Sequence, residues 1–267
     1  VPGVAGTTPD ALWSSRAIGL LQPLAVRCHG LRKTARGRRL LDGVTLELPV
    51  GSRLLLIGEP DDAAGLLLRV LAGLARADGG TLELAGEHEV GDERHGWRRR
   101  VAYAGPRTAP YPWLSAREAL ELAGRLIGLE RHERAERIER AVLRWRLGRD
   151  LDVPIRRAGP SVAQRAGLAA ALLGDPEVVL LEEPLRAVEP EERSALLRLP
   201  GPRRTMIVAS RYPATEAGIV DRVALLREGR IVLHEPVSRL RQRQLPLSRQ
   251  GVERLLTVLD PLDRATA

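Results

Sequence analysis

The chain has no phenylalanine, one cysteine, one methionine and one lysine among its 267 residues, and aromatic side chains make up only 3% of it. Each scarcity excludes something. With so few rings, the stacking platforms that hold single-stranded nucleic acid are hard to build. Cys28 has no second cysteine to pair with, so no internal disulfide forms and a reducing, cytosolic setting fits. The five histidines are scattered without metal-ligand spacing, which gives no zinc site. No uninterrupted apolar run approaches the roughly 18 residues of a membrane span. The opening "VPGVAGTTPDALWSSR" lacks the charged start and apolar core of a signal peptide. These absences lead us to expect a soluble chain that reaches a membrane only through a partner.

What is present is ordinary for a globular protein: 44% hydrophobic residues and length enough for one large domain or a core with a subdomain. The 42 basic and 34 acidic residues leave a net charge of +8, which would suit nucleic acid or an anionic surface. Nearly all of that positive charge is arginine, beside abundant alanine, leucine and glycine, as a GC-rich genome produces. Nucleic acid is therefore the least favoured partner class.

Residues 1–23, rich in Pro, Gly, Ser and Thr, read as an N-terminal extension. From Leu24, "LAVRCHGL" and "LDGVTLELPVG" read as β-strands flanking an arginine-rich turn, "RKTARGRR". "SRLLLIG" is a strand suited to burial on both faces, followed by a helix from about Asp62 to Leu74, and "GGTLELAGE" is a further antiparallel strand. Residues 111–157 change to charged helices. There Ser115 and Glu118 stand in capping-box spacing, as Ser161 and Gln164 do ahead of the next helix. A buried strand "EVVLLEE", a short helix, a second apolar strand "TMIVAS" and a hairpin "DRVALLREGRIVLHE" complete an alternating α/β pattern with a mostly parallel sheet. Residues 241–267 read as a basic C-terminal tail, weakly amphipathic in "GVERLLTVLDPL".

The order of seven of these segments, "LDGVTLELPVGSRLLLIG", "LLRVLAGL", "GGTLELAGE", "YPWLSAREALELAGRLIGL", "ALLGDPEVVLLEEP", "EPEER" and "DRVALLREGRIV", resembles the nucleotide-binding subunit of ATP-binding cassette (ABC) transporters over residues 24–240. The resemblance implies a P-loop NTPase fold: a RecA-like α/β core with an antiparallel β subdomain and an inserted helical subdomain at about 111–157. It also implies where the working residues should fall, and there the chain departs from the family. A phosphate loop of the form G-x-x-x-x-G-K-[ST] grips phosphate with backbone N–H groups, a lysine and a magnesium-binding hydroxyl. Counted from Gly58, the last three places hold Ala63, Ala64 and Gly65. The adenine-stacking aromatic falls on Ala35, and the glutamine that senses the γ-phosphate falls on Pro106. The LSGGQ signature becomes "AGPSV", with Gly159, Pro160 and Ser161 at its centre. The metal-side aspartate becomes Glu182, and the switch histidine becomes Arg211. Glu183 alone keeps the family's type, as a vestigial general base.

Phosphoryl transfer depends almost wholly on positioning and electrostatic stabilisation, which the missing lysine, hydroxyl, glutamine and histidine would supply. Asp61 and Asp62 stand where the helix would receive phosphate, and a carboxylate there takes the free N–H donors. Two unit charges ~4 Å apart repel by roughly 4 kcal/mol at an effective dielectric near 20. The sequence thus leads us to expect a non-catalytic ABC subunit, cytoplasmic at the inner face of the membrane. It would associate with a membrane permease, a competent ABC ATPase, or both, and need no cofactor. Arg211 is expected to pair with Glu183, or else with Glu182, Asp61 or Asp62. Tyr111 and Trp113 are expected in the partner surface. One alternative is an asymmetric transport subunit with weak ATP and magnesium binding and weak hydrolysis. Another is a basic nucleic-acid-associated member of the superfamily.

Overall fold

The computed structural model describes residues 23–59, 63–84, 87–89, 100–106, 110–198, 204–211, 213 and 218–264. Asp61, Asp62 and nearly all of the N-terminal extension lie outside them. Along the chain come β1 (Leu24–Ala35), β2 (Arg38–Pro49), β3 (Arg53–Ile57), α1 (Ala63–Leu71), β4 (Gly79–Leu84), β5 (Glu87–Glu89) and β6 (Val101–Ala104). The helices α2 (Ala116–Leu126), α3 (Arg131–Arg144), α4 (Ile155–Ala158) and α5 (Pro160–Ala171) follow. The chain then runs through β7 (Val178–Glu182), α6 (Pro190–Leu197), β8 (Thr205–Ala209), β9 (Arg222–Arg227), β10 (Arg230–Pro236), α7 (Val237–Gln242) and α8 (Arg249–Arg264).

Two sheets result. The antiparallel one has the order β2-β1-β4-β5, and the larger one has the order β10-β9-β3-β8-β7-β6. In the larger sheet β3 lies parallel to both β8 and β9, and β7 lies parallel to β6 and β8. The apolar runs of β3, β7 and β8 explain this placement, because side chains alternate between faces and both faces need covering. Leu54 and Leu56 of β3 pack on the side of the antiparallel sheet and α1, whereas Leu55 and Ile57 pack on the side of α2 and α5. β7 divides the same way, with Val178 and Leu180 on one side and Val179 and Leu181 on the other. Cys28 is buried in the first of these cores, and burial pushes its thiol up to about 12, so it acts as a small apolar side chain.

Several local expectations need correction. The arginine-rich stretch is strand on both sides, and the turn is only Arg36–Gly37, with φ of 52° and 73°, the left-handed pair that a tight hairpin requires. Arg32, Arg36, Arg38 and Arg39 in and beside it are all exposed, where arginine is tolerated. Ser115 and Glu118 do form a reciprocal capping box on α2. Ser161 and Gln164 do not: Pro160 opens α5, Gly159 is its N-cap with φ 92°, and Gln164 Oε1 accepts from the Ala187 N–H instead. The segment expected as a tail places α8 on the core, with Val252 and Leu255 fully buried in it.

The two sheets approach closely where β2 meets the β9–β10 turn. Asp42 N–H donates to Gly229 O at 2.8 Å, and a Cβ on Gly229 would lie 2.9 Å from Asp42 N and 3.0 Å from Leu40 O. Only glycine, here at φ 75°, lets the β9–β10 turn approach β2 so nearly.

Candidate functional site

The ends of β3, β6, β7 and β8 open on one side into a cleft of about 810 Å³, within the range of small-molecule sites. A crevice outside the carboxyl ends of parallel strands is where open α/β sheets hold ligands. The structure gathers Gly58, Ala64, Gly65, Pro106, Glu182, Glu183 and Arg211 around it. Ala35 ends β1 and does not line it, while its neighbour Arg36, at the hairpin tip, does. Gly159, Pro160 and Ser161 lie away from it, at the head of α5. At the glycine turn a Cβ on Gly58 would stand 2.6 Å from Ala64 Cβ, so the two small residues fit against each other. The carbonyl of Gly58 accepts from Arg249 Nη1 of α8 at 3.2 Å.

The two carboxylates at the end of β7 are both engaged. Glu182 is 7% exposed. Both of its oxygens lie 3.0 Å from a single nitrogen, Nη1 of Arg69, and Oε2 also accepts the hydroxyl of Tyr103. Burial, then the Glu182 carboxylate, holds the Tyr103 phenol well above its ordinary range. Glu183 has φ 47°, which turns its carboxylate toward the end of β8. There Oε1 accepts the backbone N–H of Arg211 at 2.9 Å and lies 3.5 Å from Arg211 Nε, while Arg186 Nε is 3.7 Å from Oε2. The expected Arg211–Glu183 pair is thus present, and its guanidinium is 62% exposed.

Sequence reasoning missed Arg69 and Tyr103. A signal for Arg69 was available: it is the single charge in the otherwise apolar α1, four residues after Gly65 and therefore on the same helix face. Tyr103 carried no such mark, since it reads as one more apolar strand residue in "VAYA". Lys33, the chain's one lysine, is held by Asp78 at 2.7 Å and does not line the cleft. Among the described residues no group of three or more His, Cys, Asp or Glu side chains is placed to hold a metal ion.

A second feature lies on the helical subdomain. Tyr111 and Trp113 are 56% and 62% exposed and stack on each other with ring centroids 4.9 Å apart. Among the described residues no helix is long and apolar enough to cross a membrane.

A mostly parallel sheet covered on both faces, a glycine turn feeding a helix, an antiparallel β layer and an inserted helical subdomain define a P-loop NTPase cassette. The chain matches the model of the "ABC transporter" family over residues 41–186, more than half its length. It is 33% identical to an aliphatic sulfonates import ATP-binding protein of Streptomyces avermitilis, over 88% of this chain and 90% of that protein. It is 28% identical to a daunorubicin resistance ATP-binding protein of Streptomyces coeruleorubidus, over 78% of this chain and 67% of that one. A solved ATP-binding subunit of an ABC transporter superposes with a TM-score of 0.73, covering 88% of this chain and 99% of the other, at 22% identity, which speaks to the fold alone. The chain belongs to the ABC transporter family, in the class of its ATP-binding-cassette subunits.

Proposed function

We propose that this chain is a non-catalytic ABC subunit, a cassette that keeps the fold and its docking surface while ATP chemistry has been given up. One observation carries the reading: both carboxylates at the end of β7 are already paired with arginines of the same chain. Ala64, Gly65 and Pro106 line the same cleft, and their side chains offer no ammonium, no hydroxyl and no carboxamide. Magnesium does not fit these residues, because the buried carboxylate that would face it is taken by Arg69 and Tyr103. The chain's place in a transport complex follows from relatives named for sulfonate import and for daunorubicin resistance, which imply a membrane permease as partner. The exposed Tyr111–Trp113 stack, large, rigid and apolar with polar tips, is the contact we assign to that partner.

Titration of the chain with Mg-ATP at millimolar concentration tests the catalytic half. The expected result is no heat of binding and no rise in melting temperature. Stabilisation growing with the logarithm of ligand concentration would overturn it and favour the asymmetric ATP-binding subunit. For the docking half, Trp113→Ala should abolish co-purification with the permease while circular dichroism stays unchanged. Undiminished co-purification removes that assignment.

A further inference from the structure

Magnesium demands near-ideal octahedral oxygen ligands at about 2.0–2.1 Å. Glu182 leaves it at most one acceptor site. Arg69 Nη1 is equidistant from Oε1 and Oε2, 3.0 Å from each, which is the position a cation chelated by the carboxylate would take. Tyr103 fills a further lone pair on Oε2. A carboxylate has about four acceptor sites, and three hydrogen bonds already reach this one. The pair is also well withdrawn from solvent, the Glu182 side chain being 9% exposed and that of Arg69 30%. A buried carboxylate needs a compensating cation, and here the chain supplies its own.

We propose that Arg69 is a built-in cation: its guanidinium takes the place of a divalent metal at Glu182 and makes the cleft metal-independent. This rests on the non-catalytic reading above and deepens it by naming the group that replaces the metal. Arg69 is a positioning residue, acting through Glu182. Arginine suits the place better than lysine, because it stays charged when partly buried and is more weakly hydrated than an ammonium. Tyr103 fixes the rotamer of the carboxylate from the neighbouring strand β6, which lies parallel to β7.

The test uses the full chain, without nucleotide, and Mn²⁺ as the metal. Wild-type melting temperature should be the same in EDTA and in millimolar Mn²⁺, and electron paramagnetic resonance titration should find no bound Mn²⁺. Arg69→Met keeps the apolar stem and removes the charge. It should lower the melting temperature in EDTA by about 5 °C or more. Mn²⁺ should restore part of that loss, with up to one ion bound per chain. Mn²⁺ binding by the wild type that Glu182→Gln abolishes would overturn the proposal. So would an Arg69→Met melting temperature equal to wild type, or one that Mn²⁺ leaves wholly unrestored. Should Arg69→Met fail to fold, the double variant Arg69→Met/Glu182→Gln decides: it should recover folding, because the buried charge is gone, and its failure to do so counts against charge compensation. Binding of Mg-ATP by the wild type would refute the non-catalytic reading. The nucleotide-free Mn²⁺ experiment addresses Arg69 alone, so the two failures are distinguishable.

Discussion

Three arginines meet the adjacent carboxylates at the end of β7, and the surroundings of two of them, Arg69 and Arg211, make those two unequal. Arg69 faces a nearly buried Glu182, whereas the Arg211 guanidinium is 62% exposed and 3.5 Å from Glu183, beyond good hydrogen-bond length. An exposed pair of that kind typically contributes about 0.2–1 kcal/mol and is screened by salt. Glu183 also keeps the backbone N–H of residue 211 whatever side chain stands there. Arg211→Ala is therefore expected to cost no more than about 0.5 kcal/mol at low salt and still less near 1 M salt. Urea unfolding at the two ionic strengths checks this. A loss above about 2 kcal/mol would mean that the side chain, and not the backbone contact, holds Glu183 in its left-handed conformation.

Elements whose cause is local were legible in the sequence. β3, β7 and β8 are short apolar runs, and a strand buried on both faces reads that way. Ser115 followed by Glu118 caps α2 as its spacing requires, while Ser161 followed by Gln164 satisfies the same rule and caps nothing. The difference is one residue upstream: Pro160 is preorganised for the first helical position, so the helix starts before Ser161 and leaves it inside. What could not be read was whatever depends on distant partners. The sequence "GVERLLTVLDPL" is amphipathic on its face, but only the folded core supplies the surface that buries Val252 and Leu255. The candidate site divides in the same way. Gly58, Ala64, Gly65, Pro106, Glu182, Glu183 and Arg211 could be placed from segment order, and one cleft holds them. The Arg69–Glu182 and Tyr103–Glu182 contacts span 113 and 79 residues of sequence, and they exist only because α1 packs on a sheet in which β6 and β7 are neighbours. The left-handed φ of Glu183 is equally invisible, since nothing about a glutamate announces it.

At the scale of the whole molecule, His234 in the β9–β10 hairpin is the group, among the described residues, that ties stability to mildly acidic pH. Its Nε2 accepts from Arg222 Nε at 2.9 Å, an arrangement open only to the neutral ring. Burial, with Arg222 beside it, lowers the imidazole to about 4 from its ordinary 6.5. The folded chain therefore refuses a proton that the unfolded chain accepts between those two values. The stabilisation is complete above pH 6.5 and declines as pH falls toward 4. The slope approaches 1.4 kcal/mol per pH unit, which amounts to about 2 kcal/mol lost by pH 5. Asp42, Asp78, Asp152 and Glu177, all held below their ordinary range chiefly by side-chain hydrogen bonds from Arg230, Lys33, Arg117 and Arg100, add to the loss only nearer pH 4. Among the described residues, the interval from pH 6.5 to 5 thus isolates the histidine. His234→Gln keeps a neutral acceptor for Arg222 and does not titrate, so its stability measured by urea unfolding should stay nearly level across that interval while the wild type declines. Parallel slopes for the two proteins would show that His234 is not the group responsible.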